Sequence, residues 1–401
     1  MLVQESVNQR HLTETSLPPS IIQGKFRLLM IKINVVSHMF RIMLKRTGNP
    51  LRALQLLKQM LEKYRSVFGE SLITKVAKVN KRYFWRLGAP GFPSEAWKIM
   101  HENEVERFFT LCPSTGLRTL IFAITKKCPM NCEHCFEWQN LNNKERLSAE
   151  DIIRLIREYQ DYGTSQIMFS GGEPMLRIND IYRVLSNVNK SSDFWIITSG
   201  LGFNGKHAQK LKESGLTGVM VSLDHFDPKK HDEFRGYAGA FQLAIEAVSH
   251  ARKAGLATSL SFCAVRESVN YDQIKKYMDL AKSMGVCFVQ ILDPRSSGRY
   301  ADKNVELGKE EMEILERIYL EYNNSTKYRD YPIINYLGYH QRHVGCFGAG
   351  NRFFYIDTDG DAHICPYCVE KVGSTLQHSP ANIIDMLSHK SCFVFEKNKA
   401  I

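Results

Sequence analysis

The spacing of apolar positions changes character between Phe109 and residue 117. Upstream, apolar residues recur every three or four positions, which predicts amphipathic helices. The two clearest stripes are Leu51, Leu54, Leu57, Leu61 and Tyr64, and then Leu72, Val76, Val79, Tyr83 and Leu87. Pro90-Gly91-Phe92-Pro93 interrupts the pattern, and Ser94 is placed to cap a further short helix. We therefore expect residues 1–115 to form an all-helical extension.

Downstream, short apolar runs alternate with helical stretches. The predicted strands are 120–125, 166–169, 194–198, 219–223, 258–264 and 287–292. The predicted helices between them are 148–161, 178–190, 204–214, 239–254 and 271–284. This alternation predicts an α/β fold whose parallel sheet curves into a (β/α)6 partial barrel over residues 116–325. Residues 326–401 then form a small third region.

Charge and cysteine content narrow the class of protein. Residues 1–100 hold 17 Lys and Arg against 5 Asp and Glu, a net charge of +12, whereas the whole chain carries +11. The excess of cations therefore lies in the N-terminal extension. The ten cysteines occur in clusters, and the N-terminus shows no basic segment followed by an apolar one, so we expect metal ligands in a reducing, cytoplasmic compartment rather than disulfides.

Three polar segments follow predicted strands of the barrel. The loop C-P-M-N-C-E-H-C, with Cys128, Cys132 and Cys135, follows the first strand, and Gly171-Gly172-Glu173-Pro174 follows the second. Ser222-Leu223-Asp224 ends the fourth. Because the carboxyl ends of parallel strands meet at one rim, these segments predict a single active site.

The three-cysteine loop leaves more than one chemistry open. A structural zinc site needs four protein ligands, so the fourth ligand would have to come from elsewhere in the chain. A disulfide would leave one thiol over. A [4Fe–4S] cluster on three thiolates leaves one iron free for a small ligand, and the glycine pair after the second strand lets backbone approach such a ligand closely.

These segments resemble those of the radical S-adenosylmethionine (SAM) superfamily from about residue 119 to 291. The similarity lies in C-P-M-N-C-E-H-C, in G-G-E-P and in V-S-L-D-H-F-D-P-K-K-H-D-E-F-R-G-Y-A-G-A-F. The chain departs from the family at His134, at Ser199 in place of an amide, and at His225 in place of a glycine. The resemblance implies that SAM binds the open iron and that one electron, from a reductant such as ferredoxin or flavodoxin, cleaves it to a 5′-deoxyadenosyl radical.

The resemblance and the residue chemistry together assign expected roles. Cys128, Cys132 and Cys135 bind the cluster. The SAM-binding residues are expected to be Gly171, Gly172, Glu173, Pro174, Ser199, Ser222 and Arg235. Arg235 is expected to pair the SAM carboxylate, with a structural ion pair as the alternative, and His225 to face the pocket or simply to be hydrogen-bonded.

A second set of cysteines lies in the C-terminal region. F-F-Y-I-D-T-D-G-D-A-H-I-C predicts a β-hairpin with its turn at 357–360. A hairpin brings its strand ends together, so Cys346 is expected near Cys365 and Cys368, and Cys392 supplies a fourth thiol. The region resembles the SPASM or twitch extension, which implies an auxiliary [4Fe–4S] cluster; zinc on the same thiols stays open. Cys112, Cys263 and Cys287 are expected to be buried hydrophobes.

Three function classes remain. The first is a radical SAM enzyme acting on a peptide, a carrier-bound group or a small metabolite. The second is a radical enzyme that modifies nucleic acid, which the basic N-terminal extension suggests. The third is an iron–sulfur protein of electron transfer or regulation. The substrate itself does not follow from the sequence.

The basic N-terminal extension also predicts a docking surface. If 72–87 is helical, Lys75, Lys78, Arg82 and Arg86 share one face beside its apolar stripe. We expect either a scaffold helix with solvated cations or a surface for an acidic partner or an anionic membrane.

Overall fold

The computed structural model describes residues 20–68, 73–110, 116–392 and 394–395 of the chain. Its strands form a three-stranded sheet and a ten-stranded sheet. The small sheet contains β1 (Ser20–Ile21), β2 (Ala77–Val79) and β3 (Arg82–Phe84). The large sheet contains β4 (Thr119–Ala123), β5 (Gln166–Ser170), β6 (Asp193–Thr198), β7 (Leu216–Ser222), β8 (Ala257–Cys263), β9 (Phe288–Leu292), β10 (Ile333–Tyr336), β11 (Phe353–Ile356), β12 (Asp361–His363) and β13 (Gly373–Ser374).

The helices surround these sheets. The N-terminal region contributes α1 (Lys25–Thr47), α2 (Pro50–Phe68) and α3 (Glu95–Thr110). The remainder contributes α4 (Ala149–Asp161), α5 (Ile178–Asn187), α6 (Gly205–Ser214), α7 (Pro228–Arg235), α8 (Ala240–Lys253), α9 (Tyr271–Met284), α10 (Lys309–Asn324), α11 (Leu337–Val344) and α12 (Pro380–Ser388). Among the described residues, none of these helices is long and apolar enough to cross a bilayer.

The α/β prediction for the central region is confirmed. The six strands β4 to β9 are parallel and adjacent in chain order, and their ends differ from the predicted ones by at most three residues. The five predicted helices are α4, α5, α6, α8 and α9. The sheet is wider than expected, because β10 adds in parallel to β9 and β11 adds in parallel to β4. In the described residues its order runs from β10 to β13, so the sheet is open.

The two faces of the large sheet are buried differently. Side chains on the outer face, such as Phe122, Phe169 and Val221, pack against the helices in the main hydrophobic core. Side chains on the inner face, such as Met168 and Met220, lie against the hairpin of β2 and β3 at one end and line a cavity at the other. Alternation along each strand therefore separates a packed face from a face available to a ligand.

The prediction of a helix over residues 72–87 is wrong, and residues 1–115 are therefore not all-helical. Residues 77–84 form an antiparallel hairpin, in which Val79 pairs with Arg82. Asn80 in its turn has a φ of 53°, a conformation that asparagine tolerates better than most residues. The spacing of the apolar residues before the turn does not distinguish a helix from a hairpin. The turn residues Asn80-Lys81 are the feature of the sequence that favours the hairpin. Leu72 lies outside the described residues.

The hairpin closes the end of the barrel at which the strands begin. Ala77, Val79 and Phe84 are buried against Trp195 and Phe288 at the lower ends of their strands. Polar contacts hold it in place: Gln166 Nε2 donates to the carbonyl of Leu87 at 3.0 Å, and Gly91 N donates to Asp193 Oδ2 at 3.1 Å. The candidate functional site lies at the other end of the barrel, where the strands end.

The proposed cationic face therefore does not exist. Lys75 is buried and donates to the carbonyl of Tyr331 at 3.1 Å, and burial lowers its pKa to about 7. Arg82 pairs with the buried Asp193, and burial lowers the pKa of Arg86 to about 10. Lys78, the fourth predicted cation, is half-buried on β2. Because Lys75, Arg82 and Arg86 take part in packing and polar contacts, replacing them is expected to destabilise the fold rather than to remove a docking surface.

The C-terminal hairpin prediction is confirmed. β11 pairs antiparallel with β12, with Tyr355 opposite His363, and Asp357 accepts hydrogen bonds from the amides of Asp359 and Asp361 at 2.8 and 2.9 Å. The hairpin extends the large sheet instead of standing apart from it, since β11 pairs with β4. The C-terminal cysteines are thereby attached to the strand that leads into the first cysteine loop.

Candidate functional site

The three-cysteine loop begins five residues after the end of β4 and lies at the carboxyl ends of the strands, as predicted. Cys132 is buried, and Cys128 and Cys135 are half-buried. The thiols are close enough to influence one another electrostatically, and burial raises the pKa of Cys128 to about 11 and that of Cys135 to about 12. Both thiols are therefore protonated at neutral pH until a metal displaces the proton.

The end of α7 holds this loop in place. The amides of Asn131 and Glu133 donate to the carbonyls of Arg235 and Phe234, both at 3.0 Å. Gly236, with a φ of 56°, approaches so closely that a Cβ there would lie 2.6 Å from the carbonyl oxygen of Asn131. The segment that carries the sequence resemblance after β7 is thus a backbone support for the cysteine loop.

Arg235 lies beneath the loop and joins two of the predicted site segments. Its Nη2 lies 2.5 Å from Asp224 Oδ2, and its Nη1 lies 3.6 Å from the sulfur of Cys132. Burial raises the pKa of Asp224, but the Arg235 guanidinium, His134, His231 and the amide of Cys263 together outweigh burial, so this pKa lies below its ordinary value. Arg235 thus forms the structural ion pair that was the alternative expectation from the sequence. Its guanidinium is buried in this ion pair.

The G-G-E-P segment packs directly on the cysteine loop. The amides of Gly172 and Glu173 donate to the carbonyls of Thr125 and Lys127 at 2.7 and 2.8 Å. A Cβ on Gly172 would lie 2.4 Å from the carbonyl oxygen of Lys127, and Gly171 has a φ of 124°. Both glycines are therefore required by close backbone approach, as predicted, although the partner of that approach is the loop itself.

Glu173 ties the end of β5 to the end of β6. Its buried carboxylate accepts from Thr198 Oγ1 at 2.7 Å, from Ser199 N at 2.8 Å and from Ser199 Oγ at 2.5 Å. It also caps the short helical turn at Pro174 by accepting from Met175 N at 3.0 Å. Burial raises the pKa of Glu173, and these donors oppose the shift. Ser199, which stands where the family has an amide, is thus fixed by Glu173.

Polar side chains form a row across the inner face of the sheet. Ser222, the last residue of β7, is in register with Ser261, which is in register with Gln290 and then with Asn335. Asn335 donates to Gln290. The predicted Ser222 therefore stands at one end of a hydrogen-bonding row that sequence analysis did not detect, because each member lies on a different strand.

The C-terminal cysteines converge as expected. The sulfurs of Cys365 and Cys368 lie 3.3 Å apart, and the Cys392 thiol is hydrogen-bonded to those of Cys346 and Cys368. Cys346, Cys365 and Cys368 are buried, and Cys392 is half-buried. All four line the same cavity. Four neighbouring thiols match the ligand number of a [4Fe–4S] cluster and of a structural zinc site, but among the described residues they do not converge as the ligands of one metal ion would, which favours the cluster.

This cavity has a volume of about 630 Å³ and occupies the inner face of the barrel. It extends from Ser170 at the carboxyl ends of the strands to Arg118 at their beginning. Its wall combines apolar strand residues, three members of the polar row and the four C-terminal cysteines. The polar row contributes Ser261, Gln290 and Asn335, and several arginines also line the wall, namely Arg86, Arg118, Arg295 and Arg352. A drug-sized or peptide-segment ligand fits such a volume.

Phe136 connects the two cysteine sets. It follows Cys135 directly, and its ring packs edge-on against Tyr367, which lies between Cys365 and Cys368, with centroids 6.0 Å apart. It also contacts Tyr355 of β11 edge-on at 5.8 Å. The cavity wall between the two sites is therefore aromatic, a feature that no periodic pattern in the sequence predicts.

Several supporting residues were missed. Arg299 Nη1 donates to the carbonyl of Asn131 at 2.6 Å, and its backbone amide donates to the carbonyl of Cys135 at 2.9 Å. Asn142 exchanges two hydrogen bonds with the backbone of Cys128, at 3.1 and 3.0 Å. Asp224 was predicted to lie at the site as part of S-L-D, but its ion pair with Arg235 was not predicted. Their distance from the loop along the chain hides such contacts from sequence reasoning.

The remaining sequence expectations can also be placed. His225 Nδ1 accepts a hydrogen bond from Asp227 N at 2.8 Å, so this ring nitrogen is already used within a local turn. Cys263 and Cys287 are buried in strand and loop positions, as expected of small hydrophobes. Cys112 lies outside the described residues.

The donor set fits an iron–sulfur cluster on the first loop. Among the described residues, no three His, Cys, Asp or Glu side chains converge as the ligands of one metal ion would. Such convergence is not required of a cube, because each thiolate binds a different iron. Three thiols on a rigidly supported loop, with no fourth cysteine on it, match the three-ligand arrangement.

Known structures show the same fold. The chain superposes on Streptococcus suis SuiB bound to S-adenosylmethionine with a TM-score of 0.57 and 16% identity, covering 87% of this chain and 80% of that one. SuiB bound to its precursor peptide SuiA gives a TM-score of 0.57 with 15% identity, covering 72% and 70%.

Sequence relatives match the barrel region. A probable GTP 3′,8-cyclase of Methanococcus aeolicus is 32% identical over 44% of this chain and 59% of the relative. An AdoMet-dependent heme synthase of Nitratidesulfovibrio vulgaris is 26% identical over 47% of this chain and 51% of the relative. The chain thus spans between half and three-fifths of the length of these relatives. Residues 122–281, about two-fifths of the chain, match the model of the radical SAM superfamily.

Proposed function

We propose that this protein is a radical SAM enzyme that takes a hydrogen atom from a substrate bound in the 630 Å³ cavity. The observation that carries this proposal is the packing of G-G-E-P and the end of α7 onto the three-cysteine loop. Both contacts fix the loop backbone, through Lys127 on one side and Asn131 on the other. A loop held this way is suited to a cluster that must keep one iron open.

Residues of this chain have distinct proposed roles. Cys128, Cys132 and Cys135 hold the [4Fe–4S] cluster. Gly171, Gly172, Pro174, Ser199 and Ser222 would hold SAM. Glu173 positions this segment rather than acting as a free acceptor, since its oxygens already receive four donors. Arg235 acts through Cys132 as a positioning residue. When bound, the reduced cluster supplies the electron that cleaves SAM to methionine and a 5′-deoxyadenosyl radical.

The C-terminal cysteines are proposed to hold an auxiliary [4Fe–4S] cluster. Cys346, Cys365, Cys368 and Cys392 are adjacent to one another and face the cavity. Four protein ligands leave no iron for substrate, so we assign this cluster to electron transfer or to holding the region together. Zinc on these thiols is the alternative, and the presence of sulfide distinguishes them.

The substrate class is proposed from the cavity wall. The polar row offers hydrogen bonds to a ligand, which favours a substrate with polar groups. A peptide, a carrier-bound group and a small metabolite all satisfy this chemistry. The names of the relatives point to a nucleotide in one case and a precursor peptide in another.

The test uses anaerobically reconstituted protein with SAM and dithionite. Wild type is expected to form 5′-deoxyadenosine and to contain about eight irons. The Cys128→Ala/Cys132→Ala/Cys135→Ala variant is expected to form none and to keep about four irons. The Cys287→Ala variant is the matched control, because it removes a buried thiol that packs near the N-terminal hairpin and away from both sites. Continued 5′-deoxyadenosine formation by the triple variant contradicts the proposal.

A further inference from the structure

Helix α1 presents an exposed apolar surface that the fold of the barrel does not use. Large apolar side chains lie at successive turns: Phe26 is 74% exposed, Leu29 53%, Met30 51%, Ile33 54% and Val36 37%. We call these five residues the apolar stripe. Scattered apolar residues are ordinary on a surface, but five on one face of one helix form a contiguous patch.

The same helix has a second apolar face that is fully used. Ile31, Val35, Met39 and Met43 are buried against α2, α3 and the segment between them. At about 100° per residue the apolar stripe spans roughly 120° and lies on a different side of the helix from these four. Packing of the N-terminal region therefore accounts for one face of α1 and leaves the stripe unexplained.

The charged residues of α1 that border the apolar stripe are all cations. Lys25 and Lys32 flank it on one side, and Arg27, Arg41 and Lys45 flank it on the other. Residues 25–47 contain six Lys and Arg and no Asp or Glu. The exposed Leu51 and Leu54 of α2, 79% and 58% exposed, add to the apolar surface. Residues 25–47 thus carry half of the net charge of +12 of residues 1–100.

We infer that α1 docks this protein on an anionic lipid surface, with the apolar stripe inserted at the headgroup boundary and its flanking cations on lipid phosphates. An exposed apolar face between rows of Lys and Arg is the pattern of an interfacial helix. The helix lies along the membrane and does not cross it, in agreement with the absence of a spanning helix among the described residues.

Charge complementarity selects lipid over a second copy of the chain. Pairing of two chains through this face would bring their cations together without an acidic residue of α1 to compensate. An anionic bilayer neutralises every cation and requires no matching groove. This inference does not depend on the proposed radical chemistry, because binding to vesicles is measured without SAM.

The test is flotation of the full chain with vesicles of phosphatidylcholine alone and of phosphatidylcholine with about 30% phosphatidylglycerol. Wild type is expected to float only with the anionic vesicles and to be released as salt rises from about 0.1 M to about 0.5 M. The Lys25→Gln/Arg27→Gln/Arg41→Gln variant is expected to bind about 100-fold more weakly. A control, Lys206→Gln/Lys229→Gln/Lys309→Gln, removes the same charge from the exposed surface of the barrel region and is expected to bind as wild type does.

A second variant tests the apolar contribution. Phe26→Ser/Ile33→Ser keeps the charge and is expected to reduce partition at least about 30-fold, since two large side chains no longer enter the bilayer. Both side chains are exposed, so iron content and unfolding should match wild type. Lack of flotation by wild type, equal binding by the cation variant and its control, or unchanged binding by Phe26→Ser/Ile33→Ser each overturns the inference. The inference is also overturned if the wild type does not float but forms a dimer that the Phe26→Ser/Ile33→Ser variant does not form.

Discussion

The buried pair of Asp224 and Arg235 makes a quantitative prediction about the support of the cysteine loop. The side chains are 3% and 10% exposed, and their charged atoms lie 2.5 Å apart. Asp224→Asn removes the negative charge but keeps the shape of the side chain. Its remaining oxygen still accepts the hydrogen bond from Cys263 N, which is 2.9 Å long in the wild type.

The expected loss follows from the uncompensated guanidinium. Removing one partner of a buried ion pair costs about 3–5 kcal/mol, because the other charge stays buried without its counter-ion. Arg235 retains only its 3.6 Å contact with the Cys132 thiol, which is a weak acceptor when protonated. Because the backbone of Arg235 and Phe234 supports Asn131 and Glu133, the loss is expected to concentrate in the loop.

The measurement is urea unfolding of the metal-free protein together with hydrogen exchange of peptides spanning 128–136 and 224–236. Asp224→Asn is expected to lower the free energy of unfolding by about 3–5 kcal/mol and to speed exchange in both peptides. The double variant Asp224→Asn/Arg235→Gln removes both charges and is expected to recover most of the loss. Glu313→Gln, at an exposed 3.8 Å pair with Lys309, is the control and should cost less than about 1 kcal/mol.

Two results would refute this reasoning. One is a loss below about 1 kcal/mol for Asp224→Asn, which would mean that water or other groups compensate Arg235. The other is a double variant that loses as much as the two single variants together, which would mean that the two charges do not interact.

Three further predictions follow from other contacts. Gly172→Ala places a Cβ 2.4 Å from the carbonyl oxygen of Lys127, so it is expected to lower the free energy of unfolding by about 2–4 kcal/mol and the iron content of the first site by more than half. The control Gly88→Ala, which has open space around its Cβ, is expected to change neither quantity, and urea unfolding and iron analysis measure both. Replacing Cys346, Cys365, Cys368 and Cys392 by Ala is expected to remove about four irons and their sulfide and to leave 5′-deoxyadenosine formation intact, whereas zinc without sulfide in the wild-type site would show a structural metal. Burial lowers the pKa of His101 to about 4, so the folded state binds fewer protons than the unfolded state between pH 6.5 and 4. The free energy of unfolding is therefore expected to fall by about 2 kcal/mol from pH 7 to pH 5. If a His101→Gln variant lost as much stability over this pH range as the wild type does, the prediction would be contradicted.

The central region could be predicted from sequence because its signals are local and repeated. Each strand from β4 to β9 is an apolar run, and glycines such as Gly215 and Gly285 end the helices between them in left-handed conformations. The cysteine loop and G-G-E-P follow strand ends, so topology alone places them together. Their convergence required no knowledge of side-chain contacts.

The errors arose where periodicity was ambiguous or contacts were distant. Residues 72–87 fit a helical spacing, but Asn80-Lys81 is a turn, and burial against Trp195 and Phe288 selects the hairpin. The ion pair of Asp224 and Arg235 could not be predicted, because nothing in the sequence shows that these two residues, eleven positions apart, face each other. The apolar stripe was missed for the opposite reason, since a pattern alone does not show which of two apolar faces remains exposed.

The most direct test of the account is electron paramagnetic resonance of the dithionite-reduced variant Cys346→Ala/Cys365→Ala/Cys368→Ala/Cys392→Ala, which retains only the first site. The account predicts a reduced-cluster signal whose g values shift when SAM is added, because SAM binds the iron that Cys128, Cys132 and Cys135 leave open. A signal that SAM does not change, or the absence of any cluster signal in a folded variant, would contradict the central claim.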